Sequence, residues 1–377
     1  MVSIGFVYFC SVIKNNYELQ NDGTMKNILS KRTFIVLPLF LFSLHPLWGQ
    51  KSNFKNDICI PGKLYMLSDI RNDVFVEALI KRWRPYNDFV RFSGDCVYSR
   101  KLNRVASVDT PVDGSNMKIE LVNSDEFEII KEKAISICVG KKGIGTQEVT
   151  VQILGDSFVN GAFFRDALLS KNYIPGIKLV GLRNIKNEEG QYDEGRGGWT
   201  VKKYFEIPKG EMTSYHGYMQ PVGEYRYWGS CEFWKNCYKV INGELTDTEI
   251  VYNCGRYDQC ITKFDKETGY LAAPKKNDLM YDNARGSYMV YTGKKWKNVE
   301  VDERKWAFNY RKYLDMWNLD APKFFAQMLG LNDYRDSLTA DYREWNKKIA
   351  EMKESYYKAV PDGKFIILIP CTTCGSL

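Results

Sequence analysis

The stretch Val149-Thr150-Val151-Gln152-Ile153-Leu154-Gly155-Asp156-Ser157 carries the strongest fold signal in this chain. Its apolar residues alternate over the first five positions, which is the period of a β-strand. A Gly-Asp-Ser turn follows, and then Ala162–Leu169 has apolar pairs at the i,i+4 spacing of a helix. A strand, a tight turn and a helix would place Ser157 at the carboxyl end of a sheet, where open α/β folds bind ligands.

The rest of this half of the chain alternates between strand and helix patterns. Strands are predicted at Ile177–Leu182, Phe324–Leu329 and Phe365–Ile369, and helices at Val301–Trp317 and Asp336–Ala359. Such alternation predicts an α/β domain over residues 148–377, with a doubly wound, flavodoxin-like parallel sheet. An aromatic-rich region at about residues 206–300 is expected to be an insertion in that domain.

Residues 51–147 have a different pattern. Short segments with β-branched and aromatic residues recur between turn sequences such as Asn72-Asp73, Ser93-Gly94-Asp95 and Asp113-Gly114-Ser115. This pattern predicts a small antiparallel, β-sandwich-like accessory domain, which ends at the linker sequence Lys141–Gly145. No chemistry-bearing cluster stands out in it, so we expect it to pack or to face carbohydrate.

Residues 1–49 have the features of an export signal. A basic segment beginning at Met25 precedes the apolar run Thr33–Leu44, so Met25 is a better start than Met1. Twelve residues are too few to span a bilayer comfortably, although the apolar run Ile4–Ile13 leaves a longer anchor open. We expect a chain exported to the periplasm or the extracellular space, without stable membrane insertion.

The formal net charge of +7 is spread along the 377 residues, with no block of five or more Lys and Arg. A nucleic-acid-binding protein concentrates its positive charge, so no nucleic-acid partner is expected.

Cysteines do not indicate a metal or redox site. Cys231, Cys237, Cys254 and Cys260 are spaced too widely for a structural zinc site. Export permits disulfides, so local disulfides and buried thiols are both open for these four. The pair Cys371-x-x-Cys374 has a redox spacing, but no helix follows it to lower a thiol pKa. We expect neither a metal nor another cofactor.

Three residues fit acyl-transfer chemistry. The hydroxyl of Ser157 needs a base to become a nucleophile, and a tetrahedral intermediate needs hydrogen-bond donors for its oxyanion. Gly198 can offer an unobstructed N–H and Asn332 a side-chain amide. Each motif alone is common in loops, but their order, each after a predicted strand, predicts one site.

At these residues the sequence resembles the SGNH (GDSL-type) hydrolases. The strings Ile153-Leu154-Gly155-Asp156-Ser157, Glu194-Gly195-Arg196-Gly197-Gly198-Trp199 and Gly330-Leu331-Asn332-Asp333 are similar to blocks I, II and III of that family. The variant is one seen in secreted esterases of Bacteroidetes-like bacteria. Such esterases often have a β-rich domain before the hydrolase domain and an insertion between blocks II and III.

The resemblance implies roles for these residues. Ser157 would be the nucleophile, Asp156 would brace the turn, and Asp333 would hold the block III loop. The implied oxyanion hole consists of the N–H groups of Ser157 and Gly198, with Gly197 as the nearest alternative to Gly198, and the side chain of Asn332. The implied substrate is an acyl ester, with acetyl expected, on a carbohydrate. Aromatic residues of the insertion would then stack on sugars, unless they build the insertion's own core: Tyr215, Tyr218, Tyr225, Tyr227, Trp228, Phe233, Trp234 and Tyr238.

The family takes its base from an Asp-x-x-His near the C-terminus, and these 377 residues contain no such string. The two histidines are His45, in the leader, and His216, in the insertion, where a loop histidine and a substitute base are both open. We therefore expect a truncated reading frame and a poorly soluble product, because apolar sheet would be left uncovered.

Two functional hypotheses follow. One is an exported SGNH-type carbohydrate esterase, weakly active or inactive as this chain; the other is a catalytically inactive glycan-binding protein that retains the pocket. A purely structural α/β protein with chance motifs is the third alternative.

Overall fold

The structure is a computed structural model. It describes residues 57–58, 60, 62–68, 71–75, 79–81, 88–95, 97–100, 105–140, 148–161, 163–170, 176–184, 192–210, 215–246, 253, 257–334 and 342–368. The predicted leader (1–49), the predicted linker and the Cys371–Cys374 pair lie outside these residues.

The first part of the chain is made of strands. They are β1 (Asp57–Ile58), β2 (Lys63–Leu67), β3 (Asn72–Phe75), β4 (Ile80–Lys81), β5 (Asp88–Gly94), β6 (Val97–Arg100), β7 (Val105–Val108), β8 (Asn116–Asn123) and β9 (Ile129–Gly140). The sheet orders are β1-β4, β2-β9-β8-β5 and β3-β7-β6. Alternate residues of β8 (Met117, Ile119, Leu121) point into a core that also receives Val74 and Val108 from the three-stranded sheet.

Eleven strands are described in the second part of the chain. They are β10 (Val149–Gly155), β11 (Ile177–Leu179), β12 (Glu194–Gly195), β13 (Met219–Pro221), β14 (Arg226–Ser230), β15 (Asp278–Asp282), β16 (Ser287–Tyr291), β17 (Trp296–Val299), β18 (Trp306–Phe308), β19 (Phe324–Met328) and β20 (Lys364–Ile367). The helices are α1 (Ser157–Asn160), α2 (Phe163–Ser170), α3 (Cys231–Ile241), α4 (Asp258–Ile261), α5 (Tyr310–Trp317), α6 (Leu331–Tyr334) and α7 (Tyr342–Ala359), with 3-10 turns at Lys202–Phe205 and Glu303–Lys305.

One sheet is parallel, with the order β11-β10-β19-β20 and β12 paired to the end of β10. Its central strand, β10, is buried on both faces from Val151 onward, although Thr150 and Gln152 alternate with its apolar residues over the first five positions. Leu154 faces an aromatic-rich core, whereas Val151 and Ile153 face a smaller aliphatic core. Gln152 lies among the aromatic residues, where its side-chain carbonyl accepts a hydrogen bond from Tyr310 Oη at 2.6 Å and so ties α5 to the sheet.

The prediction of a doubly wound, flavodoxin-like α/β fold is wrong. The described residues form six sheets, and antiparallel pairs occur in all of them except the parallel one. Between β12 and β19 the chain builds two of these sheets, β13-β18 and β14-β15-β16-β17, where a doubly wound fold would have strand–helix–strand crossovers. The resulting protein is β-rich, with several sheets.

The segment predicted as one helix, Val301–Trp317, shows why the local pattern misled. Its first part is a 3-10 turn followed by β18, which pairs with β13, 85–89 residues earlier, and Met219 lies opposite Phe308. The helix α5 begins only at Tyr310, because the side chain of Asn309 caps it by accepting the Lys312 N–H at 3.0 Å. The apolar period of a segment depends on neighbouring positions, so it does not indicate a strand partner that lies this far away in the chain.

The C-terminal helix α7 covers one face of the parallel sheet. Ile349, Met352, Tyr356 and Ala359 are buried along one stripe, at helical spacing. The residues before Tyr342 in the predicted helix Asp336–Ala359 lie outside the described ranges from 335 to 341. Across the part of the chain that the structure describes, no helix is both long and apolar enough to cross a membrane.

Candidate active site around Ser157

Ser157 lies where the central strand of the parallel sheet ends. Strand β10 stops at Gly155, and α1 begins at Ser157. Asp156 caps this helix, because its Oδ1 accepts the N–H of Phe158 at 3.0 Å. Asp156 is completely buried, whereas Ser157 is exposed. The turn therefore presents the serine hydroxyl to solvent at the carboxyl end of the sheet.

The Glu194–Trp199 loop runs beside this turn. Leu154 and Gly155 pair with Glu194 and Gly195 in parallel register, and the Arg196 N–H donates to the Gly155 carbonyl at 2.8 Å. A Cβ on Gly195 would lie 2.2 Å from the backbone nitrogen of Asn160, so only glycine fits there. This close approach holds the loop against α1.

Gly198 is at the exposed tip of the same loop. Its φ of +72° is in the left-handed region, and no heavy atom lies within 4 Å of where its Cβ would be. Within the described ranges, neither the Gly198 N–H nor the Ser157 hydroxyl has a hydrogen-bond partner. The two groups are thus available to a ligand.

Asn332 and Asp333 lie in α6. Their side chains form hydrogen bonds to the residue before Ser157 and to residues that follow Gly198. The Asn332 side-chain amide donates to the Trp199 carbonyl at 3.1 Å and, more weakly, to Asp156 Oδ2 at 3.4 Å. The Asp333 carboxylate accepts the Val201 N–H at 3.0 and 3.2 Å. The structure therefore brings the residues predicted from the three motifs to one place.

The two carboxyl groups of the site are shifted towards the neutral form. Burial raises the pKa of Asp156 to about 6, and the negative charge of Asp333 acts in the same direction, against the hydrogen bond from Phe158. Burial also raises the pKa of Asp333. A partly protonated Asp156 bound to a helix N-terminus fits a bracing role.

A buried ion pair, which no sequence motif above predicts, supports the loop from below. Arg196 Nη1 lies 2.8 Å from Glu194 Oε2, with both side chains at most 1% exposed. The Glu194 carboxylate also accepts the Leu182 N–H, which anchors the loop to the segment after β11. Two opposite charges within three residues of a glycine-rich motif are the one sequence signal that could have indicated this pair.

His216 does not act as a substitute base in this structure. It is 1% exposed; its Nδ1 accepts the Tyr218 N–H at 3.2 Å, and its Nε2 lies 2.9 Å from the Glu206 carbonyl, to which it donates. Burial, together with the positive charge of Arg196, lowers the pKa of His216 to about 3. A histidine with both ring nitrogens engaged inside the protein cannot take a proton from Ser157.

Most aromatic residues of the insertion form its core. The following are at most 7% exposed: Tyr215, Tyr218, Tyr227, Trp228, Phe233 and Trp234. Tyr225 and Tyr238 are half-buried against the same cluster. Of the two alternatives for these rings, core packing is therefore the one that the structure supports.

The cysteines of the insertion are also buried. Cys231 is a free thiol in α3, and burial raises its pKa to about 12, which makes it unreactive. Cys237 and Cys260 pack in the same core, and Cys254 lies outside the described residues. Among the residues that the structure describes, no three His, Cys, Asp or Glu side chains are grouped as metal ligands.

Comparisons with known proteins do not indicate a function for this chain. No family model and no curated protein matches the chain. Among solved structures, it is similar to two proteins of Bacteroides fragilis NCTC 9343. One is described as a "putative alpha-galactosidase": it is 12% identical, the match covers 33% of this chain and 28% of that chain, and the TM-score is 0.18.

The other is described as a "putative alpha-galactosidase/melibiase". It is 8% identical, the match covers 83% of this chain and 52% of that chain, and the TM-score is 0.20. The chain thus spans 28% and 52% of the two proteins. Neither description is that of an SGNH hydrolase, and similarities this weak carry no argument about function.

Proposed function

We propose that this protein is an ester hydrolase of the SGNH type, with Ser157 as the nucleophile, acting on acyl esters of carbohydrate. The observation that carries the proposal is the convergence of three separate segments on one exposed serine. Asn332 contacts both the residue before Ser157 and the residue after Gly198. Acetyl is the acyl group we expect, and export remains part of the proposal.

The chemistry would follow from this arrangement. The Ser157 Oγ attacks the acyl carbon, and the carbonyl π electrons move to the oxygen, which becomes an oxyanion. The N–H groups of Ser157 and Gly198 and the amide of Asn332 donate hydrogen bonds to it. The weak 3.4 Å contact of Asn332 with Asp156 leaves that amide hydrogen able to turn to the substrate. Collapse of the intermediate breaks the acyl C–O bond and leaves an acyl-serine, and the departing sugar oxygen takes up the proton that Ser157 lost. Water then hydrolyses the acyl-serine to the free acid and restores the Ser157 hydroxyl.

The proton of Ser157 needs an acceptor, and His216 is buried. In a serine protease, loss of the base lowers turnover by about 10⁶, while oxyanion stabilisation and binding retain about 10³–10⁴ over water. We expect similarly slow turnover from this chain by itself. Imidazole added to the solution can take the place of a missing base at an exposed serine, so it should accelerate the reaction.

The test is hydrolysis of acetylated oligosaccharide, measured as released acetate, with and without imidazole. We expect a rate that rises with imidazole and saturates, and that falls to background in Ser157→Ala. Ser287→Ala is the matched control, because this serine lies on β16 and, among the described residues, its hydroxyl contacts a methionine sulfur alone, at 4.0 Å. Equal imidazole-dependent rates in Ser157→Ala and the wild type would rule the proposal out.

The burial of His216 favours one second candidate, a glycan-binding protein without turnover. It would bind acetylated oligosaccharide with measurable affinity, and imidazole would have no effect on acetate release. Binding in a calorimetric titration of the same oligosaccharide, with no effect of imidazole on acetate release, would therefore identify this second function.

A further inference from the structure

A cavity in the insertion lies outside the Ser157 site. Its volume is about 370 Å³, within the roughly 300–1,000 Å³ of small-molecule sites. Its lining comes from β14, the segments around Thr262 and Leu271–Asp278, and α5. The residues that matter for its chemistry are Arg226, Trp228, Lys263, Lys275, Asp315 and Met316. None of the residues around Ser157 lines it.

The most buried part of the lining, the floor of the cavity, is apolar. Trp228, Leu271 and Met316 line it and are 6–8% exposed. The carboxylate of Asp278 fixes the wall, because it accepts from Arg226 Nε at 2.7 Å, from Trp228 Nε1 at 3.0 Å and from the Lys275 N–H at 2.6 Å. Asp278 is buried, and its charge is paired with that of Arg226.

The rim of the cavity is cationic. The Lys263 ammonium lies 6.0 Å from the ring of Trp228 and 5.8 Å from that of Trp317, which holds it near the opening. Lys263 and Lys275 are both exposed, and within the described ranges no carboxylate lies within ion-pair distance of either. The acid on the rim, Asp315, lies 4.0 Å from Arg311 of its own helix.

We propose that this cavity binds an anionic saccharide unit, whose carboxylate or sulfate group pairs with Lys263 and Lys275. The apolar floor fits the C–H face of a pyranose ring, and the two lysines fit a charge at its edge. The choice of a saccharide rests on the proposed function, since a polysaccharide that carries acyl esters can also carry uronic acids or sulfate groups. The cavity would then hold a charged unit of the chain whose ester is hydrolysed at Ser157.

The test is isothermal titration calorimetry on the Ser157→Ala variant, in which no acyl transfer occurs. The probes are a galacturonic acid oligosaccharide, a sulfated galactose oligosaccharide and a neutral galactose oligosaccharide of equal length. We expect one of the anionic probes to bind at least tenfold more tightly than the neutral one, and its affinity to fall with added salt. Which anionic probe binds identifies the charged group.

Variants locate the binding. Lys263→Gln and Lys275→Gln should each weaken it about tenfold, or about 1.4 kcal/mol. Lys294→Gln is the matched control, because that lysine is also exposed but does not line the cavity. Equal affinity for neutral and anionic probes, no binding of any probe, or unchanged affinity in both lysine variants would each overturn the proposal.

The two proposals fail separately. Anionic binding without imidazole-dependent acetate release would remove the esterase and leave the cavity site. Acetate release that depends on Ser157, without probe binding at the lysines, would remove the cavity site alone.

Discussion

The buried pair of Glu194 and Arg196 gives the sharpest test of how the loop of Gly198 is held. The pair is 2.8 Å apart, and Arg196 Nη2 also donates to the Tyr215 carbonyl at 2.8 Å. Its guanidinium lies 5.2 Å from the centre of the Trp199 ring. Replacing Arg196 with Met introduces an uncharged, apolar side chain of similar length. The Glu194 carboxylate then stays buried without its counter-charge.

The expected loss follows from these contacts. Removing one partner of a buried ion pair costs about 3–5 kcal/mol. The Tyr215 carbonyl would lose the Arg196 donor but keep the hydrogen bond from the Tyr257 hydroxyl, so this contact adds about 1 kcal/mol to the loss. Because the surrounding structure can relax in the variant, the two losses do not add in full. We expect Arg196→Met to lower the free energy of unfolding by about 4 kcal/mol.

Urea unfolding followed by tryptophan fluorescence measures this loss, and a double-mutant cycle isolates the pair. Glu194→Gln keeps an oxygen for the Leu182 N–H, so the double variant removes both charges without removing that acceptor. We expect the double variant to be about 1–3 kcal/mol more stable than the sum of the single changes predicts. A loss below about 1 kcal/mol in Arg196→Met, or additive changes within about 0.5 kcal/mol, would refute this reasoning.

Three further predictions concern the site and its supports. The folded pKa of Asp156, about 6, exceeds its ordinary value of 3.8, so its contribution to stability falls as pH rises from about 4 to about 6. Asp156→Asn should remove that part of the pH dependence, which urea midpoints at pH 4 to 7 measure; an unchanged slope would contradict it. Gly195→Ala should cost about 3 kcal/mol through its backbone clash, whereas Gly198→Ala, in open space, should cost only the roughly 1–2 kcal/mol of a left-handed alanine. Equal losses in urea unfolding would show that the Gly195 contact is not rigid. Lys312→Met should lower the free energy of unfolding by about 2 kcal/mol, because the Lys312 ammonium donates to three carbonyls at 2.6–2.8 Å. The thermal unfolding midpoint measures this loss, and an unchanged midpoint would mean that water replaces the ammonium.

Local sequence patterns were reliable where the structure depends on near neighbours. The alternation of apolar residues predicted the strand that is β10, and the i,i+4 pairs in Ala162–Leu169 predicted α2, which runs one residue later at each end. The predicted strand at Phe324–Leu329 corresponds to β19, which ends one residue earlier. These elements follow from side-chain period alone, which is a property of adjacent positions in the chain.

The grouping of the candidate site was also predictable. Ser157, Gly198 and Asn332 were each expected after a strand, and the carboxyl ends of paired parallel strands meet at one edge of a sheet. The hydrogen bonds of Asn332 to Asp156 and Trp199 agree with that geometry. Whether this group hydrolyses esters stays a prediction.

The sequence by itself determined the strand–turn–helix at Ser157 and the order of the site motifs, because each depends on spacing along the chain. Only the tertiary structure decided the pairing of β13 with β18 and the burial of His216. It also decided the environment of the Glu194–Arg196 pair, which the Tyr215 carbonyl completes from another loop. These features depend on partners from distant parts of the chain, and burial and pKa are set by whatever packs around a side chain rather than by its neighbours in sequence.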